Sequence, residues 1–231
     1  MKQIALDIGL ASGPTLQNFF AGPNEAAHQH VALWVGHEAN ERRSPVPVYL
    51  WGPEASGKSH LLRAAEGALR EQGARVGWLD ADTPPDQTFN PEWVAVVMDD
   101  VHLYTTEQQH TAFNWFVNAI TPAQGEPRAV LAAGLLPPAQ LSLRDDLRTR
   151  LGWGHVFALQ VLQESERRAV LRQAADARGV FLSDEVMDFM LNRFSRDLAS
   201  LMQLLDALDV YALQTQRAIT IPLLKSMLED I

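Results

Sequence analysis

The sequence predicts an α/β protein: a five-stranded parallel sheet flanked by helices, followed by a small all-helical domain. Five apolar runs, at 47–51, 75–80, 93–98, 128–133 and 155–160, alternate with helical segments. Continuous apolar runs of that length are strands buried on both faces, the pattern of a parallel sheet. A glycine-rich loop joins the first run directly to a helix, the strand-loop-helix order that a phosphate cradle requires. Beyond about residue 161 the strand pattern stops and only helical spacing continues.

Residues 1–24 read as an extended N-terminal arm: a short alternating tip, then SGPTLQNFFAGPN, whose glycines and prolines punctuate turns. A helix is expected over 25–40 and breaks at 41–45. With the sheet and its helices it forms a nucleotide-binding core over 25–160. In the remaining segment, 161–231, helices are expected at 163–178, ending near Gly179, and at 184–193, capped by Ser183 with Asp184 and Glu185 in the first turn. Two more follow at 196–214 and at 221–230, the last opened by Thr220 and Pro222.

Of 231 residues, 19 are basic and 28 acidic, a net charge of −9, and none is cysteine. Disulfide scaffolds and cysteine-ligated metals are thereby excluded. No apolar run approaches the roughly 20 residues of a membrane-spanning helix. The N-terminus MKQIALDIGL lacks the apolar stretch and cleavage site of a secretory signal, so a cytoplasmic protein without a membrane partner is expected. Nonspecific nucleic-acid binding depends on Lys and Arg neutralising phosphates. Residues 1–160 hold 11 basic and 17 acidic side chains and the rest 8 and 11, so neither part is a basic module. The seven histidines show no metal-ligand spacing. Trp51, Trp78 and Trp93 fall in predicted strands and read as core.

Gly52, Pro53, Glu54, Ala55, Ser56, Gly57, Lys58 and Ser59 fit the phosphate-loop pattern G-x-x-x-x-G-K-[ST] without a mismatch. The glycines let backbone N–H groups wrap a polyphosphate, and the helix N-terminus adds its positive dipole end. Lys58 reaches the outer phosphates and the Ser59 hydroxyl ligates Mg²⁺. About 40 residues later, WVAVVMDD places Asp99 and Asp100 at the end of an apolar strand, where open α/β sheets bind their ligands. Asp99 is assigned to Mg²⁺ or its waters and Asp100 to orienting an attacking water. An isolated acidic pair would read as a cap for the next segment; the preceding phosphate loop favours the metal.

Two arginines stand out. Arg150, in LRTRLGWG between the fourth and fifth strands, is placed to reach a phosphate on a neighbouring molecule, as an arginine finger does. Arg196 opens the long helix RDLASLMQLLDALDVYAL, whose start could fold over a bound nucleotide. For either residue the plain alternative is a solvated charge of little energetic weight.

In this order the motifs resemble the AAA+ module of the DnaA family of bacterial replication proteins, and within it the Hda-type regulators. The segments that carry the resemblance are NFFAGPNEAA (18–27), VYLWGPEASGKSHLL (48–62), MDDVHLY (98–104), DDLRTRLGWG (145–154), SRDLASL (195–201) and RAITIPLLKSML (217–228). The resemblance implies an AAA+ P-loop NTPase with a helical lid, ADP or ATP and Mg²⁺ as cofactors, Arg150 as finger and Arg196 as lid sensor. No basic helix-turn-helix segment follows the lid, which is read as separating a regulator from an initiator. Gln3, Leu6 and Ile8, in QIALDI, are similar to the peptide by which Hda-type proteins dock on the β sliding clamp of DNA polymerase III; an extended peptide can seat the two apolar side chains in a groove.

The implied partners are therefore DnaA, the clamp and, through the clamp, DNA, with a homo-oligomer also allowed. The implied activity is negative regulation of initiation by stimulating hydrolysis of DnaA-bound ATP in trans. One departure bears on turnover by the chain itself: LAAGLLPP (131–138) offers Ala132, Ala133, Gly134 and Leu135 where the initiator has a polar sensor. Weak or no hydrolysis of its own nucleotide is expected. That departure weighs against a self-contained ATPase of the helicase-loader type; a non-catalytic clamp adaptor is the other alternative. A small-molecule kinase is disfavoured by the long helical lid and by the lack of an acceptor site.

Overall fold

The computed structural model describes residues 13–36, 44–193 and 198–229. The chain divides into two units, residues 1–160 and 161–231. In the first, β1 (Val48–Trp51), β2 (Val76–Leu79), β3 (Ala95–Met98), β4 (Ala129–Gly134) and β5 (His155–Ala158) form one sheet in the order β2-β3-β4-β1-β5. Every neighbouring pair is parallel. Each link must therefore cross over the sheet; helices supply the crossings from β1 to β2, β3 to β4 and β4 to β5, and an irregular segment, residues 80–94, the one from β2 to β3.

Side chains alternate between the two faces of each strand. Val48, Leu50, Val97 and Leu131 pack against α1 (Glu25–Val35) and α2 (Lys58–Glu71) through Ala27, Val31, Leu61 and Leu62. On the opposite face Tyr49, Val96, Met98 and Val130 meet α3 (Thr106–Ile120) and α4 (Asp145–Leu151) through Trp115, Phe116, Leu147 and Leu151. β3 and β4 are buried throughout, as the apolar runs predict. β5 departs from that expectation. It borders only β1, its His155, Val156 and Ala158 are exposed, and its apolar sequence does not bury it. β2, at the other edge, stays buried: Val76 and Trp78 join the core on the α1/α2 side, Leu79 the core on the other, and Trp93 lies against Gly77.

Residues 13–24 are not an extended arm. Thr15 and Asn18 exchange hydrogen bonds of 2.8 and 3.1 Å, closing a turn. The carbonyls of Leu16 and Thr15 bond to Nε2 of His28 (2.9 Å) and of His60 (3.1 Å), and the Phe19 ring packs on both imidazoles. Asn24, buried before α1, donates to the Gln160 carbonyl (2.9 Å) and accepts from its N–H (2.7 Å). Turn residues thus gain partners on α1, α2 and the end of the sheet strands, which their composition alone does not reveal. α1 stops at Val35, where Gly36 takes φ 71.

The second unit holds α5 (Glu164–Ala177), α6 (Asp184–Arg193), α7 (Leu198–Thr215) and α8 (Ile221–Glu229) around Leu171, Met187, Leu201, Leu205 and Leu224. Gly179 (φ 68) ends α5, the Ser183 hydroxyl accepts from Val186 N–H at 3.3 Å, and Thr220 Oγ1 accepts from Leu223 N–H at 3.4 Å. These are the caps expected from sequence. Among the described residues no helix is long and apolar enough to cross a membrane.

The Asn24 amide joins the start of α1 to the chain leaving β5, so Asn24→Ala removes the partners of two backbone groups. The expected loss is about 1–2 kcal/mol. Chemical denaturation should show a lower midpoint with an unchanged m-value.

Candidate functional site

Parallel pairing places the ends of β1, β3 and β4 at one edge: Trp51 is level with Gly134, and Ala132 with Met98. From β1 the chain enters the loop 52–57, where Gly52 (φ 156), Ala55 (φ 60) and Gly57 (φ 94) all have positive φ. Gly52 and Gly57 are each required twice over. A Cβ on Gly52 would stand 2.3 Å from the Leu159 carbonyl oxygen, and one on Gly57 2.8 Å from the Phe19 ring. The loop therefore sits tightly between the end of β5 and the folded N-terminal segment, and α2 begins immediately at Lys58.

Lys58 is buried, with Nζ donating to the carbonyls of Gly52 and Pro53 at 2.9 Å each. Burial lowers its pKa, opposed by the negative charges of Asp100, Asp99 and Glu54. Ser56 is buried, and its Oγ has no hydrogen-bond partner among the described residues. Asp99 is buried at the end of β3, and burial raises its pKa; against this work a hydrogen bond from Ser59 and one from the Asp100 N–H (3.0 Å). Asp100 is half-buried in a left-handed turn (φ 47), its Oδ1 3.9 Å from His102 Nδ1.

A buried ammonium on a ring of loop amides suits a polyphosphate. The Ser59 hydroxyl and the Asp99 carboxylate, already joined, are hard oxygen donors of the kind Mg²⁺ takes. The orphaned Ser56 Oγ adds one unsatisfied group that a ligand oxygen would complete. The residues present thus fit an anionic nucleotide with a divalent cation.

The end of β4 is closed, and the one polar side chain against Gly134 is already committed to the backbone. A Cβ on Gly134 would stand 2.3 Å from the Tyr49 hydroxyl, which donates to the Leu136 carbonyl at 2.8 Å. Tyr49 was legible only as a strand residue; its reach to the end of β4 follows from the β1–β4 register. Asn24, Phe19 and His60 around the loop were likewise not readable as neighbours, since their contacts span up to 136 positions.

Arg150 lies in the last turn of α4, half-buried. Its Nη1 donates to the Asp146 carbonyl at 3.1 Å, and its guanidinium lies over the rings of Phe113 (4.6 Å) and Trp153 (5.2 Å). The adjacent arginines are committed to carboxylates. Arg144 makes a two-point pair with Asp146 (2.6 and 2.8 Å), holding that carboxyl below its usual range, and Arg148 pairs with Asp145 at 2.7 Å. Arg196, Gln3, Leu6 and Ile8 lie outside the described residues.

Residues 164–228 match the family model described as "Hda, lid domain". Domain III of the Thermotoga maritima replication initiation protein DnaA is similar in structure over 94% of this chain and 95% of its own, with 22% identity and a TM-score of 0.72. AMPPCP-bound DnaA from Aquifex aeolicus aligns over 83% of the chain at 20% identity and a TM-score of 0.64, a match that takes in 64% of the DnaA chain. A Thermotoga maritima RuvB variant aligns over 94% of this chain and 71% of its own, at 15% identity and a TM-score of 0.63. At these identities the likeness to solved structures is one of fold. The chain thus has the fold of DnaA domain III over nearly its whole length, and its residues 164–228 match an Hda-type lid domain.

Proposed function

We propose that the chain is a negative regulator of chromosomal replication initiation, acting in the cytoplasm by stimulating hydrolysis of DnaA-bound ATP. In this reading the loop 52–59 and Arg196 hold ADP or ATP, and Ser59 and Asp99 hold Mg²⁺. Gln3, Leu6 and Ile8 dock on the β sliding clamp, which brings the chain to DNA without requiring a basic module. When bound, the nucleotide and its cation supply the charge that ties loop, Ser59 and Asp99 into one unit. The chain's own residues do the rest: Lys58 is withdrawn from its loop carbonyls toward phosphate, and Arg150 is presented to the partner.

The observation that carries the reading is the inequality among the arginines of α4 and its N-cap. Arg144 and Arg148 are paired with carboxylates, whereas Arg150 makes no ion pair among the described residues. A guanidinium held by rings and one carbonyl keeps its planar donor fork for phosphoryl oxygens. Charge developing on a transferring phosphoryl group is stabilised by such a fork, which is worth about 10³–10⁵ in rate where it acts as a finger. The closed end of β4, with Tyr49 against Gly134, supports weak turnover of the chain's own nucleotide.

Three outcomes follow. Arg150→Ala should abolish stimulation of DnaA ATP hydrolysis in the presence of clamp and DNA; stimulation equal to that of the parent protein would overturn the finger. Deleting residues 1–8 should end retention on immobilised clamp, with ADP or with ATP present. Asp99→Asn should lose Mg²⁺-dependent nucleotide retention yet melt at a higher temperature at neutral pH. The sign follows from burial: with a folded pKa above the unfolded one, the contribution of Asp99 is most favourable below the unfolded value and is lost as pH rises through the folded one. The advantage of the Asn variant should therefore shrink as pH falls into the carboxylate range, and an advantage independent of pH would contradict this account.

A further inference from the structure

We infer that Trp153 is a positioning residue for Arg150: its indole holds the guanidinium in the pose the finger needs. The inference rests on the reading of Arg150 as a finger and adds the group that aims it. Trp153 is 59% exposed, unusual for the largest apolar side chain. The Arg150 guanidinium lies over its ring at 5.2 Å and over Phe113 at 4.6 Å. A cation within about 6 Å of an aromatic face is held electrostatically.

The platform is itself fixed. The Trp153 N–H donates to the Arg150 carbonyl at 3.1 Å, and the Gly152 N–H to the Thr149 carbonyl at 3.2 Å, so the turn closes directly on the end of α4. Beyond it, Gly154 is pressed on Pro47: a Cβ at 154 would stand 1.8 Å from the Pro47 carbonyl oxygen, which also accepts from the His155 N–H at 2.9 Å. The indole meets buried Phe116 edge-on, centroids 6.4 Å apart at 80°. Trp153 therefore has its backbone tied to α4 and β5 and one side of its ring on the core, leaving the remainder to the arginine and to solvent.

An arginine has many rotamers, and one fixed before encounter loses less freedom at the transition state. A residue acting this way changes the rate within the complex rather than the affinity of the complex.

The test compares Trp153→Leu, which keeps apolar bulk and removes the aromatic face, with Trp153→Phe, which keeps a ring. In ¹⁵N-arginine-labelled full-length protein, the Arg150 Nε–H resonance, assigned by its disappearance in Arg150→Ala, should show a ring-current shift. Trp153→Leu should reduce that shift and Trp153→Phe should retain more of it; an unchanged resonance in Trp153→Leu overturns the cation–ring contact. With DnaA, clamp and DNA, Trp153→Leu should lower the maximal rate of DnaA ATP hydrolysis by roughly three- to thirtyfold with no change in the half-saturating concentration, and Trp153→Phe should recover part of the rate. A raised half-saturating concentration at full maximal rate would make Trp153 a docking residue and overturn the inference. If Arg150→Ala itself left stimulation intact, the finger reading would fail, while the resonance would still decide whether the indole holds the arginine.

Discussion

The first unit is organised by the parallel pairing of β1 with β4 on one side and β5 on the other. Trp51 faces Gly134 across one ladder and Ala158 across the other, and β4 passes the register on to β3. Strands that all run one way end at the same edge. The loop 52–57, Asp99 and the end of β4 become neighbours for that reason alone. Parallel strands also demand crossovers, which is why α2 starts at Lys58, within the motif, and leaves its first N–H groups facing the ligand edge.

At that edge the protein keeps charge where burial disfavours it. Lys58 and Asp99 are both buried, and burial moves each pKa toward the neutral form. Their partners are modest: two loop carbonyls for the lysine, a serine hydroxyl and a backbone N–H for the aspartate. Such partners satisfy the groups without neutralising them, so phosphate or a cation can take over the interactions. Departures from ordinary burial rules of this kind mark functional positions. Ser56, buried with an unpartnered hydroxyl, belongs to the same economy of unfinished bonds.

The arginines of α4 follow the opposite logic at a separate place. In a chain of net charge −9 an arginine readily finds a carboxylate, and Arg144 and Arg148 do. Arg150 instead lies against Trp153, a carbonyl oxygen and Phe113, a ring it shares with Arg144, and it acts on the Asp146 carboxylate only at long range, since that group is paired with Arg144. Rings hold a guanidinium without occupying its donors in the ring plane. Its availability thus comes from rings that attract the cation without accepting its hydrogen bonds, while the Asp146 carbonyl takes one N–H.

The sequence by itself determined the strand and helix menu, because burial on two faces, helical spacing and cap residues are local patterns. Ser183, Gly179 and Thr220 act where they stand in the chain, and the phosphate loop was recognisable because its spacing is its chemistry. Tertiary structure alone decided the rest. The exposure of β5 depends on strand order, since an edge strand and a central one can share the same apolar sequence. The folding back of 13–24 depends on His28, His60 and Gln160, distant in sequence and supplied by other elements. Tyr49 closing the end of β4, and the distinction of Arg150 from its neighbours, depend on register and on which side chains meet across α3, α4 and the turn into β5. Local pattern specifies what a segment becomes; only packing specifies which of its polar groups remain unclaimed.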